Sequence, residues 1–420
     1  MWSPARGVNG RRGPVGSALV ALRERRDTEP IVLTDWSVYD ARKGPARTEK
    51  ALDAKNARSS MHPTLTSVDY CSDEVYEIDR DRIFHRGWMF LCHATGVPNG
   101  TKRVFDVAGE SVILARTEDG ELHAFANVCR HRGAQLCDRA MNEATRGSIR
   151  CQYHAWTYGL DGALRATPRV DDEFDRDDHG LWGHHVDVWN GLVFVSLAPS
   201  PAPLVEWLTR WSPLYTMFED LPVGDYRSGG STETVVAANW KVLIENYNEC
   251  LHCAVVHPEL VEMIPIYKTG DVVDPARGDE IVDLAPGARA LTLDGRSTLS
   301  ILPGVTEGAE YSGLAIFPNV MFDLTPTVLT LTTLFPEAAD RTRVVAEYFF
   351  HPDDVGRSDF DPGPEVELDQ LVGAQDFIVC EMVQRGVSSS SFKGGVLTRK
   401  DSYVADFDRT YLAARGLGEM

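Results

Sequence analysis

Cys129-Arg130-His131, then nineteen residues, then Cys151-Gln152-Tyr153-His154 is the stretch from which this chain is read. Two Cys–His pairs on separate turns suit a [2Fe–2S] centre in which two thiolates hold one iron and two imidazoles hold the other. Neutral imidazole in place of thiolate leaves such a cluster less negative and raises its potential. Turn residues follow each half, Gly133 after the first and Gly159 after the second, and are expected to let backbone N–H groups approach the sulfurs. Structural zinc is the alternative for two Cys and two His. Zinc fingers, however, pair Cys with Cys and His with His, whereas here the four alternate.

Working outward, the flanking sequence shows short β-type runs separated by hairpin turns: Val112-Ile113-Leu114-Ala115 and Leu122-His123-Ala124-Phe125 around Asp119-Gly120, then Asp161-Gly162 and Asn190-Gly191. Residues 88–200 are therefore expected to form a small all-β domain. A Pro-containing stretch over 198–203 then leads into a larger α+β portion, residues 201–420. There, strands are predicted over 234–238, 312–317, 328–335 and 343–350. Trp240, Leu243, Ile244, Tyr247 and Leu251 recur at helical spacing. A second helical pattern runs over 366–384 and is expected to stop at Gly386. Residues 51–87 are assigned to the N-terminal part of the catalytic domain and residues 1–50 to a flexible leader. Arg11-Arg12 before the apolar stretch 18–22 is not read as an export signal, because an h-region needs roughly 7–15 apolar residues.

Of 420 residues 43% are hydrophobic, enough for a large core. The 42 Lys and Arg stand against 62 Asp and Glu, a formal net charge of −20 that opposes broad attraction to nucleic acid or an anionic membrane. No apolar run approaches the ~20 residues of a membrane-spanning helix. Small-molecule chemistry in the cytoplasm is the resulting expectation. Eight cysteines do not make a disulfide scaffold. Cys71, Cys92, Cys137 and Cys380 read as small core or loop residues, and the acidic clusters 171–178 and 353–361 as solvated loops.

The predicted helix from Trp240 carries Glu245, Glu249 and His252, with Glu249 and His252 on one face, and His257 follows just before Pro258. Pro258 disfavours helical geometry at His257, which can then turn back toward His252. Two imidazoles and a carboxylate would make the facial triad of a non-haem Fe(II) oxygenase, and Asp376 on the later helix is selected as the carboxylate. Cys250-x₂-Cys253 lacks the βαβ context of a redox pair, so both are expected to be packing residues.

These residues resemble the Rieske non-haem iron oxygenase α subunits. The marks are Cys129 to Gly133, Cys151 to Tyr158, Asn239-Trp240-Lys241, Glu245 to Pro258, Gln375-Asp376 and Val383 to Gly386. The resemblance implies an α+β architecture: an all-β Rieske [2Fe–2S] domain on a helix-grip (Bet v 1-like, START-like) catalytic domain with an antiparallel sheet. It implies a head-to-tail homotrimer fed by a flavin/iron–sulfur reductase or ferredoxin from NAD(P)H, with O₂ as co-substrate. Glu249 would be the carboxylate linking a cluster His to an iron-ligand His, at a position that is usually Asp in ring-hydroxylating dioxygenases. The string from Glu245 through Asn246, Tyr247 and Glu249 to Cys253 is similar to the subgroup oxidising glycine betaine, choline, carnitine and stachydrine. It marks Asn246, Tyr247 and Glu249 as candidate catalytic residues, and the activity implied is monooxygenation of a small methylated amine. Aromatic hydroxylation is the alternative within the family; a Rieske electron carrier lies outside it. Departures are a longer spacing from His131 to Cys151 and Thr325-Pro326-Thr327 where related chains have Pro-Asp. A cationic substrate would need aromatic faces or a carboxylate nearby, for which Tyr247, Tyr267, Tyr311 and Phe317 are candidates.

Overall fold

The structure is a computed structural model that describes residues 62–138, 145–170, 174–272, 281–306, 308 and 310–417. All of them belong to one compact unit. The expected leader lies outside the described residues.

Strand β1 (His62–Pro63) enters antiparallel to β18 (Val396–Leu397), and helices α1 (Ser67–Cys71) and α2 (Asp73–Asp79) follow. A seven-stranded sheet comes next, in the spatial order β2 (Met89–His93), β11 (Leu192–Ser196), β10 (Gly183–Trp189), β5 (Leu122–Ala126), β4 (Glu110–Arg116), β3 (Thr101–Val107), β6 (Thr145–Arg146). The hairpin expected at Asp119-Gly120 is present: β4 and β5 pair from Val112↔Ala126 to Arg116↔Leu122, and Gly120 supplies the positive φ of the turn. A three-stranded sheet of β7 (Ile149–Arg150), β8 (Thr157–Tyr158) and β9 (Leu164–Ala166) carries the second Cys–His pair at its start.

The C-terminal portion is built on a six-stranded antiparallel sheet, ordered β12 (Arg227–Val236), β17 (Arg341–Phe350), β16 (Leu329–Ala338), β15 (Val320–Leu324), β14 (Glu310–Ile316), β13 (Ile281–Asp283). Period-two alternation decides its faces, Val344, Ala346 and Tyr348 of β17 all pointing inward. The first strand starts at Arg227, earlier than predicted, because pairing with β17 extends past the apolar residues.

Helix α4 (Trp240–Tyr247) is capped by Asn239, whose Oδ1 accepts the Lys241 N–H while its Nδ2 donates to the Tyr70 and Ala339 carbonyls. Trp240 is fully buried, edge-on to Phe84, Phe407 and Tyr411. Lys241 Nζ meets Asp79 Oδ2 at 2.8 Å with both side chains fully buried, tying the N-terminal helices to this portion. The helix ends at Tyr247 rather than running on to His252, and Leu251 is exposed, so Glu249 and His252 do not share a continuous helical face. The late helix α8 (Gly363–Val387) continues through Gly386, which has open space around it and helical neighbours on both sides. Asp354, expected in a solvated loop, is buried because it accepts the Ser300 N–H and hydroxyl and pairs with Arg357.

Candidate functional site

The two Cys–His loops are one turn used twice. Cys129 N–H donates to Ala134 O and Cys151 N–H to Trp156 O, each at 2.8 Å; Gly133 N–H returns to Cys129 O and Ala155 N–H to Cys151 O, each at 3.0 Å. The fourth residue after each cysteine is left-handed, Gly133 at φ 71° and Ala155 at φ 59°. The second turn therefore relies on Ala155, not on the expected Gly159. The result is a polarised site. Cys129 and Cys151 are buried, while His131 is exposed and His154 half-buried, their Nδ1 atoms facing one another at 3.1 Å. Trp156 stacks on His131 and Tyr153 lies against His154. Tyr158 Oη accepts the Arg130 N–H at 3.1 Å and stands 3.4 Å from Cys129 Sγ, a role that sequence reading did not assign. Two inward sulfurs and two converging imidazoles fit a mixed-ligand [2Fe–2S] cluster.

His252 caps the short helix α5 (Cys253–Val256), and His257 ends it at the start of α6 (Pro258–Met263), where the proline occupies the first turn. Their rings lie nearly perpendicular with centroids 5.1 Å apart. Both Nε2 atoms converge on Asp376 Oδ1 from α8, at 3.3 Å for His252 and 2.9 Å for His257. The other ring nitrogens are held from behind: His252 Nδ1 by Glu249 Oε1 at 2.5 Å and His257 Nδ1 by Gln375 Oε1 at 2.7 Å. Burial disfavours the His252 imidazolium, yet hydrogen bonds to Asp376 and Glu249 outweigh it and push the pKa up to about 9. Burial also opposes ionisation of Asp376, but bonds from both histidines hold its carboxyl below the usual range. Two imidazole nitrogens and a carboxylate oxygen thus converge on one point, a donor set that suits Fe(II) once the imidazoles are neutral. Asn246 Nδ2 lies 3.5 Å from His252 Nε2.

Cys250 and Cys253 are joined by a disulfide, contrary to the expectation of two separate packing residues; the turn between them brings their Cα atoms to 5.0 Å. Cys253 Sγ comes within 3.8 Å of His252 Nε2, but a sulfur in a disulfide offers no thiolate to a metal.

A cavity of about 800 Å³ opens beside the trio. On its wall Asp323 of β15 accepts hydrogen bonds from Tyr247 Oη at 2.8 Å and Tyr311 Oη at 2.5 Å, both on Oδ1. Burial pushes Asp323 up to about 7, the Tyr311 bond opposing this and the charge of Asp369 adding to it. Asp369 of α8, which accepts from Tyr348 Oη at 2.8 Å, is likewise raised by burial, to about 6. Tyr267 is buried edge-on to Tyr311. Phe317 also borders the cavity but packs among Trp207, Trp211 and Phe407. Thr325 lines the wall with its hydroxyl bonded to Val328 O. Sequence reading missed Asp323, Asp369 and the orienting role of Gln375. Only the adjacency of Gln375 to Asp376 could have signalled the last.

Comparison with known proteins agrees with this construction. Residues 87–184 match the Rieske [2Fe-2S] domain, and residues 223–415 match the ring hydroxylating alpha subunit (catalytic domain). The glycine betaine monooxygenase oxygenase subunit of Pseudomonas aeruginosa is 28% identical over 387 residues, 84% of this chain and 89% of the relative. The carnitine monooxygenase oxygenase subunit of Acinetobacter pittii is 28% identical over 344 residues, covering 79% and 87%. The fold is that of the quaternary ammonium Rieske monooxygenase CntA solved with L-carnitine: TM-score 0.65, 23% identity, 85% of this chain and 96% of that one. Naphthalene 1,2-dioxygenase from Rhodococcus shares it too, with TM-score 0.63, 19% identity, and coverage of 87% and 96%. The cofactors are a [2Fe–2S] cluster and a mononuclear iron, O₂ is the co-substrate, and electrons come from NAD(P)H through a separate reductase. Among the described residues no helix is long and apolar enough to cross a membrane. The chain belongs to the Rieske non-haem iron oxygenases, as an α subunit that joins a cluster domain to a ring-hydroxylating-type catalytic domain.

Proposed function

We propose that this oxygenase monooxygenates a small methylated amine at an N-methyl group or the carbon beside the nitrogen. Cys129, His131, Cys151 and His154 hold the cluster; His252, His257 and Asp376 hold the iron; and Glu249, behind His252, couples the two centres. The iron supplies dioxygen activation when it is bound. This chain's own residues position the reaction: Gln375 and Glu249 orient the imidazoles, Asn246 borders the metal face, and Tyr247 is fixed by Asp323. Oxygen insertion at an N-methyl group, with two electrons, two protons and release of one water, leaves an N-hydroxymethyl product that sheds formaldehyde.

The observation that carries the reading is the pair Tyr247–Asp323 in the same cavity as His252, His257 and Asp376, an aromatic face and a carboxylate beside the metal site. Its support among relatives is the glycine betaine and carnitine oxygenase subunits. We further propose a cytoplasmic homotrimer in which the exposed imidazole edge of one subunit faces the iron helices of the next. The cluster domain is residues 88–200, and 62–87, the described part of the expected segment 51–87, join the catalytic domain expected over 201–420; residues 51–61 lie outside the described residues. Turnover with a reductase and NADH, screening methylated amines against aromatic acids, tests the reading. Formaldehyde release from an amine supports it, and ring hydroxylation without amine turnover overturns it.

A further inference from the structure

The cavity beside the iron site is polar in an unbalanced way. Among the described residues that line it there is neither Lys nor Arg, whereas Asp323 and Asp369, neither of them in the metal-binding trio, both face it. Each lies deep in the protein yet keeps some accessible surface, and that surface is cavity wall. Tyrosine hydroxyls hold both in place but are neutral, so they fix the carboxyls without offsetting charge. No cationic side chain weighs on either carboxyl, while each carboxyl is disfavoured by a neighbouring acid.

Glycine betaine and carnitine each join a trimethylammonium to a carboxylate. A substrate carboxylate brought into this part of the cavity would lose water and meet two acids with no Lys or Arg among the described lining residues to receive it, a desolvated and repelled charge. A cation without that carboxylate meets the opposite situation. Asp323 is pre-set by two hydroxyls, and the aromatic side chains of Tyr247, Tyr267 and Tyr311 line the same cavity. A bound cation also removes the obstacle to both acids being ionised at once.

We infer that the substrate is an ammonium cation carrying no carboxylate, and that Asp323, clamped by Tyr247 and Tyr311, is its counter-ion. This rests on the methylated-amine reading above and narrows it. Asp323 is then the residue that determines which amines this cavity accepts.

Calorimetric titration of the iron-loaded holoenzyme tests this with four probes: choline, tetramethylammonium, glycine betaine and 3,3-dimethylbutan-1-ol, the uncharged isostere of choline. The expected result is that choline and tetramethylammonium bind at least about tenfold more tightly than the other two. Asp323→Asn should lower choline affinity by about tenfold or more and leave the uncharged alcohol within about threefold. Glycine betaine binding as tightly as choline overturns the inference while leaving methylated amines as substrates. An Asp323→Asn protein that keeps choline affinity overturns the counter-ion assignment. If none of the three amines binds and an aromatic acid is turned over, the amine reading falls and the inference with it. The unsubstituted protein decides the probe ranking even if the variant fails to fold.

Discussion

His257 and Gln375, 118 positions apart in the chain, are tied by a 2.7 Å hydrogen bond from the imidazole Nδ1–H to the amide Oε1. An amide oxygen only accepts, so the bond places a proton on Nδ1 and keeps Nε2, which faces Asp376, as the ring atom available to a metal. Gln375→Leu should lower iron affinity about tenfold or more while leaving the cluster's visible spectrum unchanged. Iron titration of the apo-site followed by reconstitution checks this, and full retention of affinity would show that the tautomer is set elsewhere.

Glu249 holds His252 in the same manner, and its second oxygen accepts the Leu251 N–H. Glu249→Ala is expected to keep the cluster spectrum and bound iron but to uncouple NADH consumption from product. Product per NADH is the measurement; an unchanged ratio removes the coupling role.

Tyr158 Oη, steadied by the Arg130 N–H, donates toward Cys129 Sγ, a bond that strengthens as the cluster gains an electron. Tyr158→Phe should lower the midpoint potential by up to roughly 60 mV, about 1.4 kcal/mol for one electron. Redox titration followed by electron paramagnetic resonance reads the shift.

Ala155 occupies a left-handed backbone position whose counterpart in the first loop is glycine. Relief of its Cβ strain exceeds the entropy a glycine adds to the unfolded chain, so Ala155→Gly should stabilise the fold by about 0.5–1 kcal/mol. A higher thermal transition with unchanged cluster content is expected. A lower one would mean that the Ala155 methyl packs more than it strains.

Asp323, faced by Tyr247, Tyr267, Tyr311 and Asp369, titrates near 7 in the folded state, above an unfolded carboxyl near 4. A raised acid pKa means that the folded chain holds a proton the unfolded chain has released. Its contribution to stability is present below the unfolded value and is lost as pH rises through the folded one. The ligand-free protein should therefore melt lower at pH 8 than at pH 6, and Asp323→Asn should flatten that dependence. Melting curves at the two pH values, with and without the substitution, check the sign.

That the two Cys–His pairs form matching loops was legible in the sequence because each pair sits within a single turn, where spacing along the chain is distance in space. His252 and His257 were legible for the same reason, Pro258 marking the bend between them. Asp376 needed the helix that carries it: the demand of two imidazoles for a carboxylate selected it and the family resemblance supported it, while periodicity gave no pairing across more than a hundred residues. Asp323 was invisible: nothing in β15 announces that Tyr247, 76 residues earlier, and Tyr311, on the paired strand β14, will aim at it. The helix from Trp240 was overextended because apolar spacing continues through Leu251, whereas Glu249 spends its carboxylate on the Leu251 N–H and His252 instead of continuing the turn. Hydrogen bonds between distant positions account for the missed Asp323, and a local side-chain cap accounts for the shortened helix.

The duplicated turn around Cys129 and Cys151 bears on how the protein matures. Each half closes through its own short-range backbone bonds, and Trp156 and Tyr158 of the second already meet His131 and Arg130 of the first, so the two loops are joined before iron and sulfide enter between them. Cells starved of those inorganic parts would then accumulate a chain with its sheets assembled and only its electron-receiving tip unfinished, a form that later delivery of the cluster could complete.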